Sequence, residues 1–590
     1  MKRVRSHAAF TLRAYSHHTR APRPTRLSTF FLPTYSADAA SVQDSLESLQ
    51  WLLRGGYIRQ SASGTFSYLP VGLRMLQKIT AVIDEEMEAI RASRIEMPQI
   101  LSSTLWHKTG RVRAMGSELF RLKDRRGAEM ILAPTHEEEV TKLIGAEIDS
   151  AKALPVRVYQ IGRKFRDEPR PRAGLLRTKE FLMKDMYSFD ASVDQAKQAY
   201  EDTRQAYAHI FNRLFDWHHV PALVSSCAPT WLEATADTGA MGGTFSHEFH
   251  MEDEAGEDTL LRCQHCHYTS NVECATSHKP STATYRTSQD LSVSLFQGDN
   301  GLHAFVYGSD RQLNPLSLPT GYQLTPVAND LSAQPMEIWV DTDCTSVASE
   351  EIRHAVQQHV NSFPTPFYVP TDCPVHTKSL REAKAGDVCA TCGQGTLSER
   401  KAIEIGHTFL LGTRYSRILG YGVVPRNATN ASQTREPLQM GCYGIGVTRI
   451  LGAMAQRASR AFTQLQAAAA PTSKKGKPRA GFVWPQHLAP FSALILPATS
   501  QHLEAAARLC HALHRGVSSS STDGTTSTFQ VPLTDMALDD RIHQSLGSRL
   551  FDADLLGSPL VFVLGKHYDK TGEVEVRQVG QPTRFATMNI

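Results

Sequence analysis

The sequence predicts an α/β (α+β) protein of several domains. One strand-and-helix unit is interrupted by an inserted domain and followed by a small C-terminal α/β domain. Three observations predict this. At 590 residues the chain is too long for a single core. Strand-like and helix-like runs stand on both sides of a stretch of different texture. A small-residue segment with two prolines and loose basic charge separates the last group of elements from the rest.

Residues 1–37 carry Lys2, Arg3, Arg5, Arg13, Arg20, Arg23 and Arg26, with no acid before Asp38. Rich also in Ser, Thr and His, the segment has the composition of a mitochondrial targeting sequence, which points to the matrix. The alternative is a disordered basic arm that touches RNA. Removing those seven charges leaves 56 basic and 59 acidic residues, a net of −3 in place of +4. A bulk basic surface therefore does not argue for a nucleic-acid partner. No apolar run is long enough for a membrane-spanning helix, so no membrane partner is expected. Ten cysteines without a secretory signal favour a reducing compartment.

Ordered structure is expected from about Ser41. Over residues 72–92, Leu73, Leu76, Ile79, Ile83, Met87 and Ile90 recur every three or four positions, opposite Asp84, Glu85, Glu86 and Glu88. That is an amphipathic helix, followed by helix-breaking Pro98. Residues 156–161 and 181–189 alternate and read as strands; residues 194–212 read as a helix. Between about 275 and 385 Ser, Thr, Pro and Asp increase and periodicity weakens, as in an insertion between two halves of one unit. Residues 467–480 (AAAAPTSKKGKPRA) have linker composition. Beyond them, 492–496, 503–514 and 560–564 suggest strand, helix and strand. The division is thus 1–37, 41–275, an insert at 276–385, 386–462, a linker at 463–481, and 482–590.

Two segments carry chemistry. Between the strand-like runs lies Phe165-Arg-Asp-Glu-Pro-Arg-Pro-Arg-Ala-Gly-Leu-Leu-Arg-Thr-Lys-Glu-Phe181, whose loop holds four arginines. Rigid guanidinium forks suit phosphate. Phe181 offers a face to a purine, and Glu168 an acceptor for an exocyclic amine. A solvated basic hairpin is the equally weighted alternative. The second segment, Gly441-Cys-Tyr-Gly-Ile-Gly-Val-Thr-Arg449, leads into a helix whose first turns hold Arg449. Its glycines, Gly444 and Gly446 among them, let backbone approach a ligand, the alternative being a turn that only permits tight strand–helix packing. No P-loop pattern is present.

Together, Arg166-x-Glu168, Arg177-x-x-x-Phe181 and Gly444-x-Gly446-x-x-Arg449 resemble the second and third signature motifs of class II aminoacyl-tRNA synthetases. The helix before Pro98 resembles the first, which in that family builds the interface of a homodimer. RKFRDEPRPRAGLLRTKEFLMKDMYSFD, LAPTHEEEVT, GGTFSHEF, IEIGHTFLLGTRYS and MGCYGIGVTRI are similar to the bacterial type of prolyl-tRNA synthetase, over about 41–275 and 385–590.

The resemblance implies an antiparallel catalytic sheet flanked by helices. It implies ATP with Mg²⁺, proline and tRNA(Pro) as partners, and formation of prolyl-adenylate followed by transfer to tRNA. Arg166 would hold the α-phosphate, Arg449 the γ-phosphate end and Arg177 further triphosphate charge, with Glu168 and Phe181 on the adenine. Thr135 and Glu137 match the positions that serve proline's ammonium. Read without the resemblance, Thr135 is a helix cap with acids in the first turn. His407 and His247 are expected to line the proline pocket, though a lone His is more often a core residue. The C-terminal segments Trp484-Pro-Gln-His-Leu-Ala-Pro490, Asp539-Asp-Arg541 and Asp552-Ala-Asp-Leu-Leu-Gly-Ser-Pro559 resemble an anticodon-binding domain. There Arg541 and Arg549 are candidates for RNA contacts, the alternative for Arg541 being an ion pair with a neighbouring acid.

Cys263-x-x-Cys266 and Cys389-x-x-Cys392 have the knuckle form of a structural zinc site, with 122 residues between the pairs. If the insert loops out, its stems meet and a zinc staples them; unpaired thiols are the alternative. Bacterial-type relatives carry in this place an editing domain that depends on a lysine. No lysine occurs from Pro280 to Thr377, so the insert reads as a reduced remnant with weak or no editing in cis. A synthetase-like RNA-binding protein without catalysis, or an enzyme for threonine or serine, are the other readings.

Overall fold

The computed structural model describes residues 24–35, 46–215, 217, 231–280, 285–298, 301–318, 325–326, 335–425, 435–469, 481–515, 517–521, 526–529 and 535–588. Residues 1–23 of the basic segment and 470–480 of the linker lie outside the described residues.

Nine strands form the central sheet, in the order Phe245–Glu252, Leu232–Ala236, Thr269–Asn271, Asp258–Cys263, Leu397–Gly412, Gln439–Gly446, Glu180–Asp190, Val156–Phe165 and Ser93–Arg94. The long pairings are antiparallel, with Gly406 opposite Ile445, Gly444 opposite Asp185, and Lys164 opposite Phe181. One face is covered by the helices Pro70–Ala89, Val193–Phe215 and Val447–Ala469. Met75, Ile79, Ile83, Tyr207, Phe211, Ile450, Leu451 and Met454 are all buried in that core. Periodicity located the first of these helices, but its N-terminus is Pro70, a proline at the first helical position. Its buried stripe runs through Val71, Met75, Ile79, Val82 and Met87, which leaves Leu73 exposed, against the expectation.

Both stems of the insert belong to this sheet's rim, and the insert is a separate unit. Strands Thr325–Pro326, Leu291–Gly298, Gly301–Gly308, Met336–Asp341 and Val375–Lys378 form a mixed sheet backed by the helix Ser349–Val360. A buried ionic knot ties it to its stem. Asp387 accepts from Arg311 Nη2 (2.7 Å), Arg381 Nη1 (3.0 Å) and Ser277 Oγ (2.7 Å). Because every charge in it is paired, the knot is tolerable inside the protein.

The C-terminal sheet runs Thr25–Arg26, Met536–Leu538, Ala493–Pro497, Leu560–Leu564, Glu573–Arg577, Arg584–Met588, Val517–Ser521 and Thr526–Phe529. Its first strand corrects the sequence reading, since ordered structure starts before Ser41. Residues 24–35 are built into the fold. Thr25 and Arg26 pair in parallel with Ala537 and Leu538, Leu27 is buried, and Ser28 Oγ donates to Asp540 at 2.8 Å. Arg59 Nη2 donates to the Pro33 carbonyl at 2.6 Å, so the strap touches both the catalytic and the C-terminal units. It pairs with the outer edge of Met536–Leu538 and so covers that strand's free backbone groups.

Candidate active site

On the sheet face opposite the three helices lies a cavity of about 310 Å³. Its walls come from segments far apart in the sequence. The hairpin Val156–Phe165/Glu180–Asp190 supplies Arg166, Glu168, Arg177 and Phe181 from its loop and ends, and Met183 and Asp185 from its second strand. The strand Gln439–Gly446 and the helix it feeds supply Cys442, Gly444, Gly446 and Arg449. A Cβ at Gly444 would meet nothing closer than Met183 Sδ at 3.9 Å, so this glycine leaves its space to the cavity.

One end of the cavity is cationic. Arg166 lies with its guanidinium carbon 5.4 Å from the Phe181 ring centroid. Its buried Nε has no hydrogen-bond partner among the described residues. An orphaned guanidinium N–H inside a pocket is a donor waiting for an anion. Burial, and then the nearby charge of Arg449, lower its pKa, with Glu404, Glu118 and Glu168 only partly opposing them. Arg449 Nη1 is held at 2.9 Å from Glu404 Oε2, and its Nε donates to the Leu176 carbonyl at 2.9 Å. Arg177 Nε donates to Glu168 at 2.8 Å and its Nη1 to Glu257 at 2.9 Å.

The opposite end is anionic and buried. Thr135 lines the cavity, and its hydroxyl donates to Glu137 Oε1 at 2.7 Å. The helix Glu137–Glu147 is preceded by His136 as its N-cap residue without a side-chain cap bond, so Thr135 is not the cap. Glu137 is wholly buried one layer below the cavity, touching Thr135, Cys442 Sγ (3.0 Å) and Arg111 Nη1 (2.7 Å). Burial alone would raise its pKa; the Arg111 charge and the hydrogen bonds from Cys442 and Thr135 hold it lowered.

Between these ends, Glu248, Glu404 and His407 each place a ligand atom within 4.8 Å of the others. Burial would raise the Glu404 pKa. The His407 hydrogen bond and the Arg449 charge outweigh it and hold the carboxyl well below its ordinary range. The two carboxylates are the hard oxygen donors that a divalent cation takes.

Comparison with known proteins gives the family. Residues 120–458 match the model of the tRNA synthetase class II core domain (G, H, P, S and T). The proline–tRNA ligase of Moorella thermoacetica is 32% identical, covering 94% of this chain and 94% of its own. The chain belongs to the proline–tRNA ligases. The probable mitochondrial proline–tRNA ligase of Schizosaccharomyces pombe is 32% identical, with 90% of this chain and 89% of the relative covered. Among solved structures, Giardia lamblia prolyl-tRNA synthetase in complex with prolyl-adenylate shares the fold. Its TM-score is 0.52 at 14% identity, covering 91% of this chain and 73% of that one.

Against this ligase fold, the sequence-derived residues sort clearly. Arg166, Glu168, Arg177, Phe181, Gly444, Gly446, Arg449, Thr135 and His407 all line one cavity. His407 stacks on Phe409 at 3.9 Å between ring centroids. His247 does not line it. Alternation along Phe245–Glu252 turns Glu248 to the cavity and His247 to the helix side, where its Nδ1 meets Tyr200 Oη at 2.8 Å.

Arg541 and Arg549 are not available to RNA. Arg541 is buried between Asp539 (2.8 Å) and Asp552 (2.9 Å), the ion-pair alternative. Arg549, fully buried, donates Nη1 to the carbonyls of Pro497 (2.9 Å) and Asp539 (3.0 Å). Arg111, Glu248 and Glu404 were missed by sequence reasoning.

The two cysteine pairs, distant in sequence, meet where the stems of the insert join the sheet. Cys263 Sγ is 3.7 Å from Cys392 Sγ, Cys266 Sγ is 3.8 Å from Cys389 Sγ, and all four lie within 4.8 Å of one another. Four thiolates at about 2.3 Å from a tetrahedral zinc stand about 3.8 Å apart, so the cluster fits that ion.

Proposed function

We propose that this ligase activates L-proline with ATP and transfers it to the 3′ end of tRNA(Pro). The observation that carries the reading is the single cavity with an orphaned Arg166 guanidinium at one end and the buried Glu137 carboxylate beneath the other. A zwitterion laid between them points its carboxylate at the phosphate-binding arginines and its ammonium at Thr135 and the charge below it.

In the first step a proline carboxylate oxygen attacks the α-phosphorus in line. The bond to the bridging oxygen breaks, and pyrophosphate leaves with the electron pair. In the second, a terminal ribose hydroxyl of tRNA attacks the activated carbonyl and AMP leaves, the hydroxyl proton passing to the phosphate side. Neither step needs a covalent enzyme nucleophile. Positioning and neutralisation of phosphate charge supply the acceleration. Arg166 serves the α-phosphate, Arg449 the γ-phosphate end and Arg177 the triphosphate, with Phe181 and Glu168 against adenine. Glu248 and Glu404 are the residues that would hold Mg²⁺, which would supply positive charge against the phosphates.

Zinc at Cys263, Cys266, Cys389 and Cys392 is a structural staple in this reading. A homodimer is supported by the resemblance of the Pro70–Ala89 segment to an interface motif. It is supported too by apolar Ile100 and Leu122, exposed on one face of a small three-stranded sheet. Matrix localisation rests on the acid-free, basic composition of residues 1–23 and on similarity to the S. pombe relative. Residues 482–590 are read as the anticodon-binding unit, and the insert, which has no lysine from Pro280 to Thr377, as weak or inactive in hydrolysing Ala-tRNA. Rapid deacylation of Ala-tRNA by the protein would overturn that last point.

The deciding experiment is amino-acid-dependent ATP–pyrophosphate exchange with proline, threonine, serine and alanine. Exchange with proline alone is expected, together with charging of tRNA(Pro). Exchange with none of the four would leave an RNA-binding protein without catalysis.

A further inference from the structure

We propose that Glu138 is a positioning residue for the amino-acid end of the cavity and that it releases a proton when the substrate's ammonium binds. The proposal rests on the amino-acid reading above and deepens it.

The geometry is one guanidinium shared by two carboxylates. Arg111 Nη1 lies 2.7 Å from Glu137 Oε2 and 3.0 Å from Glu138 Oε2, and these three side chains are at most 1% exposed. With both carboxylates ionised the set carries one net negative charge; with one proton on either, it is neutral. Isolated charge inside a protein costs several kcal/mol, so the empty site favours the neutral count.

The hydrogen bonds decide where the proton sits. Glu137 accepts from Arg111, from Thr135 Oγ1 at 2.7 Å and from Cys442 Sγ at 3.0 Å, three donors that suit an ionised carboxylate. Glu138 has Arg111 and the Thr109 hydroxyl, the latter at 2.7 Å. Burial, and beyond it the Glu137 charge, push the Glu138 pKa up even though Arg111 opposes them.

The charged and titratable groups facing this set are Arg111 from the start of the helix Arg111–Met115, Tyr415 from the helix Arg414–Leu419, Cys442 from its strand, and His136 and Tyr187 on the Glu137 side. Asp185 faces the Glu137 side through Tyr187. The Arg111 guanidinium carbon also packs 4.5 Å from the Trp106 ring centroid and its Nη2 against Met241 Sδ, which fixes it in place.

Arg111, Thr135 and Cys442 line the cavity, so the carboxylates stand one layer from a ligand there. A cationic amine entering at Thr135 supplies the counter-charge that the proton supplied. Glu138 then ionises, its proton goes to solvent, and the site is neutral again. The ligand class selected is a zwitterion with a compact ammonium; a neutral isostere leaves the proton in place.

Calorimetric titration of the full chain with L-proline alone, in buffers of different ionisation enthalpy over about pH 5 to 8, tests this. For the natural protein we expect up to one proton released per site at the acid end. Affinity should tighten up to about tenfold per pH unit while release persists. Glu138→Gln should bind proline with no release and a flat pH profile, and protons exchanged by proline itself subtract out between the two proteins. Binding without release by the natural protein overturns the proposal even if the variant fails to fold. Release that survives in Glu138→Gln overturns it as well. No proline binding at any pH removes the amino-acid reading itself, and the proposal with it.

Discussion

The guanidinium of Arg166 lies over the ring of Phe181, 5.4 Å from its centroid. That stack joins two functions in one cavity, since the ring face available to a base and the N–H groups available to a phosphate are fixed by each other. The two residues sit where the paired strands Val156–Phe165 and Glu180–Asp190 open into their loop, so the hairpin register sets their distance.

Arg166→Ala should lower proline-dependent ATP–pyrophosphate exchange by about 10²- to 10³-fold, the scale for removing a preorganised donor from a transition-state oxyanion. Arg166→Lys should recover little, because an ammonium cannot reproduce the planar fork over Phe181. The measurement is the exchange rate at saturating ATP and proline, and near-normal exchange in Arg166→Ala would place the phosphate elsewhere.

Glu257 is the second acid on Arg177 and also accepts from Arg172 Nε. Both arginines belong to the loop proposed to meet the triphosphate, so Glu257 would compete with ATP for them. Arg177 and Glu257 are each 36% exposed, and such surface pairs are weak. Glu257→Gln should therefore lower the KM for ATP by only about threefold, leaving the KM for proline unchanged. A raised KM for ATP would mean that Glu257 orders the loop for binding.

Much of this site was legible because its parts are local. The strand–loop–strand around Arg166 and the passage from Gln439–Gly446 into the helix carrying Arg449 are each set by near-neighbour pattern and glycine spacing. The choice between His247 and Glu248 was not local. Alternation puts adjacent residues on opposite faces, and only the helix Val193–Phe215, bringing Tyr200 to one face, decides which is which. Arg111 joins the site across 26 residues, with no periodic signal linking it to Glu137. The strap at 24–35 did leave a trace, since Leu27, Phe30, Phe31 and Leu32 follow the basic run and all but Phe31 join or pack on the core. At Arg541 the acid two residues before it, Asp539, was the sign of an ion pair.

Arg541 gives a sharp test of that correction. Arg541→Ala strands Asp539 and Asp552, both buried, and loss of one partner of a buried pair costs about 3–5 kcal/mol. Thermal unfolding of the C-terminal unit should move down markedly and tRNA charging should fall with it, while ATP–pyrophosphate exchange persists. Weakened charging at unchanged stability would restore Arg541 as an RNA contact.

The four-sulfur cluster should hold one zinc per chain by elemental analysis. Because a zinc there would staple stems 122 residues apart in sequence, its removal would free a long loop, at a cost in stability that grows only slowly with loop length. Chelation, or Cys389→Ser, should lower the melting temperature and increase proteolysis within the insert. Protein purified without added chelator that contains no zinc and is indifferent to chelation would leave these cysteines as free thiols.

Lys184 makes the last prediction. It lies wholly buried behind the catalytic strands, donating to Tyr207 Oη at 2.7 Å and to the Tyr443 carbonyl at 3.2 Å. Burial lowers its pKa from 10.5 to about 7, with Asp185 only partly opposing the shift. In the unfolded chain the same amine keeps its ordinary, higher pKa, so between about pH 7 and 10 the unfolded state binds more protons than the folded one. Folding stability should therefore rise with pH through this window and level off below it, where both states are protonated. Lys184→Met removes the titrating group and keeps an unbranched chain of similar length. The variant should lose this part of the rise and be more stable than the natural protein near neutral pH, provided Tyr207 finds another partner. Denaturant midpoints of both proteins across the window measure it, and parallel pH profiles would show that Lys184 stays charged inside the fold.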